Sequence, residues 1–158
     1  MKIGIVGAGF AGLSSAKVLR QLGHEVVVWE KAPDLGGVWS GTRRYPGLKT
    51  QNDKGTYALS DLTMPVDYPE WPSGAQVQAY LQTYAEKFDL VRHVQLGTEV
   101  VQARPSDGGG WDVETAESTT HVDHLVLASG IFSRPFVPPI ENLDLFEKLG
   151  GEVLAASE

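Results

Sequence analysis

The sequence contains no cysteine, which excludes a disulfide framework, a thiolate-ligated zinc and a redox dithiol within it. It also lacks any apolar run near the roughly 20 residues of a membrane span, so no membrane partner is expected. Its apolar share of 42% is too high for a disordered chain. Basic residues are outnumbered, 13 against 20 acidic, leaving a formal net charge of −7. An acidic chain whose one adjacent basic pair is Arg43-Arg44 is a poor match for nucleic acid or an anionic bilayer. The absence of cysteine makes a cytoplasmic location the expectation. Structure is expected from residue 2 onward, with no signal or transit segment ahead of it. His24, His93, His121 and His124 show no ligand spacing with carboxylates, so no metal is expected.

What the sequence does have is glycine placed between regular elements. Residues 2–6 read as a short buried strand, Gly7 to Gly12 as a turn, and 13–22 as a helix ended by Gly23. Residues 25–30 follow as a second buried strand, completing a βαβ unit with a parallel sheet. Residues 31–72 are rich in Gly, Pro, Thr, Asp and Tyr and carry little periodicity beyond a short helical turn near 55–59. Residues 73–88 form an amphipathic helix, with Val77, Leu81, Tyr84, Ala85 and Phe88 on one face and Ser73 and Gln76 as a capping box. Segments 94–96, 99–103, 111–115 and 120–122 read as a small antiparallel β-meander, with a glycine turn at 106–110. Residues 124–128 are another buried strand, and 131–158 are Pro-rich, then weakly patterned. Trp29 and Trp111 are expected in core or sheet packing, and Trp71 as a loop anchor.

Gly7-x-Gly9-x-x-Gly12 lies between a strand and a helix, the setting a dinucleotide fingerprint requires. Gly7 permits the tight turn, Gly9 a close backbone approach to a pyrophosphate, and Gly12 close packing of helix on strand. The N–H groups and dipole of the helix then face the phosphates. Glu30 falls 18 positions beyond the last glycine, where a carboxylate accepts hydrogen bonds from an adenosine ribose and repels a 2′-phosphate. The motif alone does not separate FAD from NAD. Gly36-Gly37-Val38-Trp39 favours FAD, because a Gly-Gly step lets backbone pass beside an extended ligand. Ala128-Ser129-Gly130 places small residues near the carboxyl edge of the sheet. Arg43 and Arg44 read either as cofactor-phosphate ligands or as a solvated pair. Asp61 and Asp67 read as turn or cap residues.

In this order the residues are familiar. Gly7–Gly12 with Glu30, Leu35 to Trp39, Tyr45-Pro46-Gly47-Leu48, Ser60-Asp61, Met64-Pro65, Tyr80-Leu81 with Tyr84-Ala85, Phe88 and Leu90, Thr98 with Val100, and Ala128-Ser129-Gly130 with Pro135 make up the set. The chain resembles the N-terminal FAD-binding part of the flavin-containing monooxygenases, class B flavoprotein monooxygenases that include Baeyer–Villiger enzymes. The resemblance implies an α/β fold: a Rossmann-like FAD-binding domain, three-layered around a parallel sheet, with the antiparallel meander attached. It implies that Gly7, Gly9, Phe10, Ala11 and Gly12 hold the pyrophosphate, Glu30 the ribose with Lys31 beside it, and Gly37, Val38 and Trp39 the ribityl and flavin end. Val100 would meet the adenine edge through its backbone, with Ala128, Ser129 and Gly130 at the strand edge. Gln51 and Asn52 would lie near the isoalloxazine and nicotinamide as the catalytic pair.

The family strand motif usually reads Ala-Thr-Gly, and Ser129 keeps the hydroxyl. N- and S-oxygenating members usually carry Asn at position 51, and Baeyer–Villiger members Asp. Gln51 is neutral and leans toward the first group. No second glycine motif lies between strands, so the domain is expected to be incomplete. Residues 1–158 would be its N-terminal portion, and the NADPH-binding domain and the C-terminal return segment would lie outside it. By resemblance the intact enzyme takes NADPH, O₂ and a small-molecule substrate. It oxygenates a soft nitrogen or sulfur through a flavin C4a-hydroperoxide. A Baeyer–Villiger enzyme, another flavin oxidoreductase and a non-catalytic dinucleotide-binding remnant are the alternatives. Self-association through an uncovered sheet face is a further expectation.

Overall fold

A computed structural model describes residues 1–131 and 136–154. Pro135 and the closing Ala155-Ala156-Ser157-Glu158 lie outside the described residues. Strand β1 (Lys2–Val6) leads into helix α1 (Phe10–Gln21), and strand β2 (Glu25–Trp29) returns beside β1 in parallel, Ile5 opposite Val28. A 3₁₀ turn (Gly37–Trp39), helix α2 (Lys54–Tyr57) and helix α3 (Gly74–Lys87) follow. Strands β3 (Val94–Gln95), β4 (Val100–Pro105), β5 (Trp111–Thr115), β6 (Thr119–Val122) and β7 (His124–Leu127) precede helix α4 (Leu143–Lys148). The parallel sheet runs β3-β2-β1-β7, and β4-β5-β6 form a separate antiparallel sheet.

Alternation along the strands builds three layers. Ile5 on β1 and Val26 and Val28 on β2 face α1 and α3, where Leu13, Ala16, Val77, Leu81 and Ala85 close the main core. The intervening residues Val6, Val27 and Trp29 face the antiparallel sheet and pack with Val113 and Val122. Trp29 is fully buried there, and its indole lies across β1 at Gly4, where a Cβ would come within 2.6 Å of the ring. Glycine at position 4 therefore makes room for the tryptophan that joins the two sheets.

Several boundaries differ from the sequence reading. Helix α1 starts at Phe10, inside the glycine motif, because the turn is complete once Gly7 has reversed the chain. Strand β2 ends at Trp29, leaving Glu30 just beyond it, and β7 ends at Leu127. Residues 94–96 do not join the meander: Val94 and Gln95 pair with Val28 and Trp29 as the edge of the parallel sheet. Two residues are too short to display a period, and in sequence they adjoin the hairpins. Helix α4 went unforeseen because its six residues bury no face. Trp111 sits at the margin of β5 and remains 36% exposed, and Trp71 is half exposed. Helix α3 matches its expectation closely, including the reciprocal Ser73–Gln76 capping box.

The long segment between β2 and α3 is held by side chains in place of periodicity. The Lys54 ammonium donates to the carbonyls of Pro65, Val66 and Tyr68, at 3.2, 2.7 and 2.6 Å. The Tyr80 hydroxyl accepts from the Leu59 N–H and donates to the Leu62 carbonyl. Asp61 is no mere turn residue: it pairs with Lys17 at 2.5 Å and accepts from Tyr84. Among the described residues no helix is long and apolar enough to cross a membrane, and no side-chain cluster suits a metal ion.

Two tests follow from this packing. Removing the buried indole in Trp29→Ala is expected to cost about 3–5 kcal/mol in a urea melt; a loss under about 1 kcal/mol would contradict its role between the sheets. The buried Nε2 of His93 has no hydrogen-bond partner among the described residues, and burial, with Arg20 and Arg92 nearby, pushes the imidazole below its ordinary value. The unfolded chain then takes up a proton near pH 6.5 before the folded chain does, so stability falls as pH drops through about 6.5. The loss ends once the folded form is protonated too. A His93→Gln chain should show a weaker fall from pH 7 to 5 in parallel melts; identical slopes would contradict the assignment.

Candidate functional site

The site grows from the turn between β1 and α1. Gly7 adopts φ +104°, and its N–H donates to the Trp29 carbonyl at 2.7 Å. A Cβ on Gly12 would sit 1.8 Å from the Gly7 carbonyl oxygen, so only glycine lets α1 lie this close under the turn. Gly12 is therefore buried beneath the turn and does not line the cavity above it. Gly9 occupies the N-cap of α1 with no capping side chain, and the first turn carries no acidic residue. Asp53 and Ser73, by contrast, cap α2 and α3 with their side chains. A helix start with no side-chain cap offers its N–H groups and positive dipole end to an anion.

Glu30 stands beside this turn and is only 5% exposed. Its Oε2 accepts from the Ala8 N–H at 2.8 Å and its Oε1 from the Ala32 N–H at 2.9 Å. The carboxylate assigned to a ribose thus also ties the glycine turn to the segment after β2. An ionised carboxylate has about four acceptor sites, so two remain for hydroxyl groups. This second task has no mark in the sequence, because backbone donors carry no residue signature. The backbone of Glu30 is fixed in turn by the edge of the sheet: its N–H donates to the Gln95 carbonyl, and its carbonyl accepts from the Thr98 N–H.

A cavity of about 500 Å³ opens over these groups at the carboxyl ends of β1, β2 and β7. Gly7, Gly9, Phe10 and Ala11 from the glycine turn line it, with Glu30 and Lys31 from the chain after β2. Gly37, Val38 and Trp39 form a wall, Val100 enters from β4, and Ala128, Ser129 and Gly130 from the chain after β7. All the expected cofactor residues except Gly12 therefore converge on one space. The Gly36-Gly37 step brings its loop onto the glycine turn: the Gly36 N–H donates to the Ala8 carbonyl at 3.1 Å, and a Cβ on Gly37 would lie 3.3 Å from the Gly9 Cα.

Gly36 and Thr98, members of the motifs read from the sequence, also line the cavity, and so do Tyr57, Glu99 and Ile131, which sequence reasoning missed. Tyr57 stacks edge-on against Phe10 and Trp39, with ring centroids 5.2 and 5.6 Å apart. Burial pushes its phenol above the ordinary value, partly offset by a hydrogen bond with Trp39. Gln51 and Asn52 are exposed and stand outside the first cavity, lining a second one of about 460 Å³. The two cavities share Val38, Trp39, Arg43, Tyr57 and Ile131. The arginine pair divides: Arg43 borders both cavities, whereas Arg44 donates to Gln78 on α3 at 2.5 Å.

With this geometry in place, comparison with known proteins is informative. All of residues 1–158 match the family described as Flavin-binding monooxygenase-like. Human flavin-containing monooxygenase 1 is 31% identical over 153 residues, 87% of this chain and 29% of that protein. A Baeyer-Villiger monooxygenase of Streptomyces coelicolor is 35% identical over 152 residues, 92% of this chain and 28% of its own length. The solved structure of an oxidised steroid monooxygenase bound to NADP superposes with a TM-score of 0.79 at 31% identity, over 90% of this chain and 28% of that one. The chain thus spans under a third of these relatives, and its Rossmann-like domain is a partial one. It belongs to the flavin-binding monooxygenase-like family.

Proposed function

We propose that the chain is the FAD-binding portion of an NADPH-dependent monooxygenase, an oxidoreductase that places one oxygen atom of O₂ on a small-molecule substrate. One observation carries this reading. The start of α1, which no side chain caps, and the buried Glu30 carboxylate border the same cavity, as a dinucleotide with a diphosphate and a ribose requires. Gly7, Gly9, Phe10 and Ala11 would cradle the diphosphate, with Gly12 setting the depth of the helix below. Glu30 would accept from the ribose beside Lys31, and Val100 would border the adenine. Gly37, Val38, Trp39 and the Ala128-Ser129-Gly130 segment would meet the flavin end. Bound FAD supplies the redox and oxygen-transfer chemistry. The residues of this chain bind it, orient it and shield it from water.

Gln51 and Asn52 line the second cavity, beyond the wall of Trp39 and Tyr57. This placement suits groups that donate and accept hydrogen bonds next to the flavin ring and a nicotinamide. The neutral carboxamide of Gln51 favours transfer to a soft nitrogen or sulfur. The Baeyer–Villiger reading is kept as second, supported by the Streptomyces relative and the steroid monooxygenase neighbour. The NADPH-binding domain and the segment returning to this sheet would come from the rest of the enzyme. In the chain alone, Leu127, Ile131 and Phe136 are exposed by 74, 89 and 75%, and self-association through this face is part of the proposal.

FAD titrated into the chain should quench flavin fluorescence with saturation, whereas NADP⁺ should displace it poorly because Glu30 opposes a 2′-phosphate. Saturable FAD uptake is the supporting result, and no uptake the contrary one. Glu30→Ala removes the ribose acceptor and leaves two backbone N–H groups unpaired, so FAD affinity should fall about 10–100-fold; unchanged affinity would remove the central support. In the full-length enzyme, Gln51→Ala should retain its FAD content while oxygenated product per NADPH consumed declines. Unaltered product yield would take Gln51 out of the chemistry.

A further inference from the structure

Resting on the FAD reading above, we infer that Asp34, Gln78 and Arg44 form a latch that positions the Gly36–Trp39 turn against the glycine motif. Gln78 lies on α3, outside the cavity. Its Nε2 donates to Asp34 Oδ2 at 2.7 Å and to the Leu35 carbonyl at 3.0 Å, ahead of the turn. Its Oε1 accepts from Arg44 Nη1 at 2.5 Å, and the same Nη1 donates to the Trp39 carbonyl at 3.2 Å, behind the turn. One carboxamide thus reaches both ends of a four-residue segment, directly at Leu35 and through Arg44 at Trp39. Its orientation is fixed chemically, since a carboxylate only accepts and a guanidinium only donates.

The remaining valences of Asp34 are filled from within the same loop. Its Oδ1 accepts from the Ser40 hydroxyl, and its Oδ2 also accepts from the Gly41 N–H at 3.0 Å. Ser40 is completely buried. Burial raises the Asp34 carboxyl, but hydrogen bonds from Ser40, Gln78 and Gly41, with Arg44 nearby, outweigh it and leave a net lowering. The charge therefore persists at neutral pH. The latch presses the turn from one side: a Cβ on Gly36 would come within 3.3 Å of Gln78 Cγ. On the other side, the turn meets the Ala8 carbonyl and the Gly9 backbone. Held between α3 and the start of α1, Val38 and Trp39 stay in the wall common to both cavities. These are positioning residues, because none of the three needs to touch the cofactor.

The test is a double-mutant cycle on FAD affinity in the 158-residue chain, with far-ultraviolet melts and visible circular dichroism of the bound flavin. Gln78→Leu keeps the volume, removes the grip on Asp34 and Leu35, and deprives Arg44 of its acceptor on α3. It should weaken FAD binding about tenfold or more and alter the flavin dichroism. Asp34→Ala should do likewise, and the double variant should lose no more than the worse single one. If Gln78→Leu does not fold, Arg44→Met releases only the Trp39 side and should show a smaller loss in the same direction. Wild-type binding with unchanged affinity and dichroism in the variants, or fully additive losses, would overturn the latch while leaving the FAD reading intact. A wild-type chain that takes up no FAD would overturn both.

Discussion

The carboxylate of Glu30 holds two backbone N–H groups from segments 22 and 2 residues away in sequence, at Ala8 and Ala32. The cavity depends on this pair of hydrogen bonds. Ala8 lies between the two glycines that shape the turn, and Ala32 begins the loop that carries Gly36 to Trp39. Taking a carboxylate out of water is costly unless its oxygens are hydrogen-bonded, and these two donors meet that requirement before any ligand arrives. The edge strand β3 serves the same end, since Gln95 and Thr98 fix the backbone of Glu30. A short strand with little stabilising power of its own thereby acquires a reason to exist.

Around that point the layers divide their work. Alternation on β1 and β2 sends one set of side chains to the helices and the other to Trp29 and the antiparallel sheet. Both layers are thus referenced to the strands whose carboxyl ends open on the site. Helix α1 contributes its exposed start, the antiparallel sheet contributes Val100, and α3 supplies Gln78, which reaches the loop from behind. In the proposed function the cofactor carries the electrons, and the part left to this chain is to bind and orient it. What the fold must supply is an anion-friendly turn, a ribose acceptor and a fixed aromatic wall.

Much of this was legible in the sequence because its signals are local. The strand–glycine–helix–strand unit depends on residues 2–30 alone, and α3 announces both its apolar face and its capping box. The residues proposed for the cofactor, Gly12 apart, border one cavity, and those from Gly7 to Lys31 lie within or next to that unit. Other features depend on contacts across the chain and left no local trace. The partners of Glu30 are backbone groups, Gln78 looks like any polar residue on a helix surface, and Tyr57 reads as one aromatic in an aperiodic loop. The parallel pairing of Val94 and Gln95 is settled by β2, 66 residues earlier at Val28, and not by anything in the two residues themselves. Helix α4 buries nothing, so it has no pattern to read.

The account stands on the diphosphate meeting the start of α1 while the ribose meets Glu30. A backbone amide NMR titration of the chain with FAD examines both contacts at once. The largest shifts are expected at Gly9, Phe10, Ala11 and Gly12 and at Ala8 and Ala32, whose N–H groups bond the Glu30 carboxylate. Shifts confined to other parts of the chain, or none at saturating FAD, would contradict it.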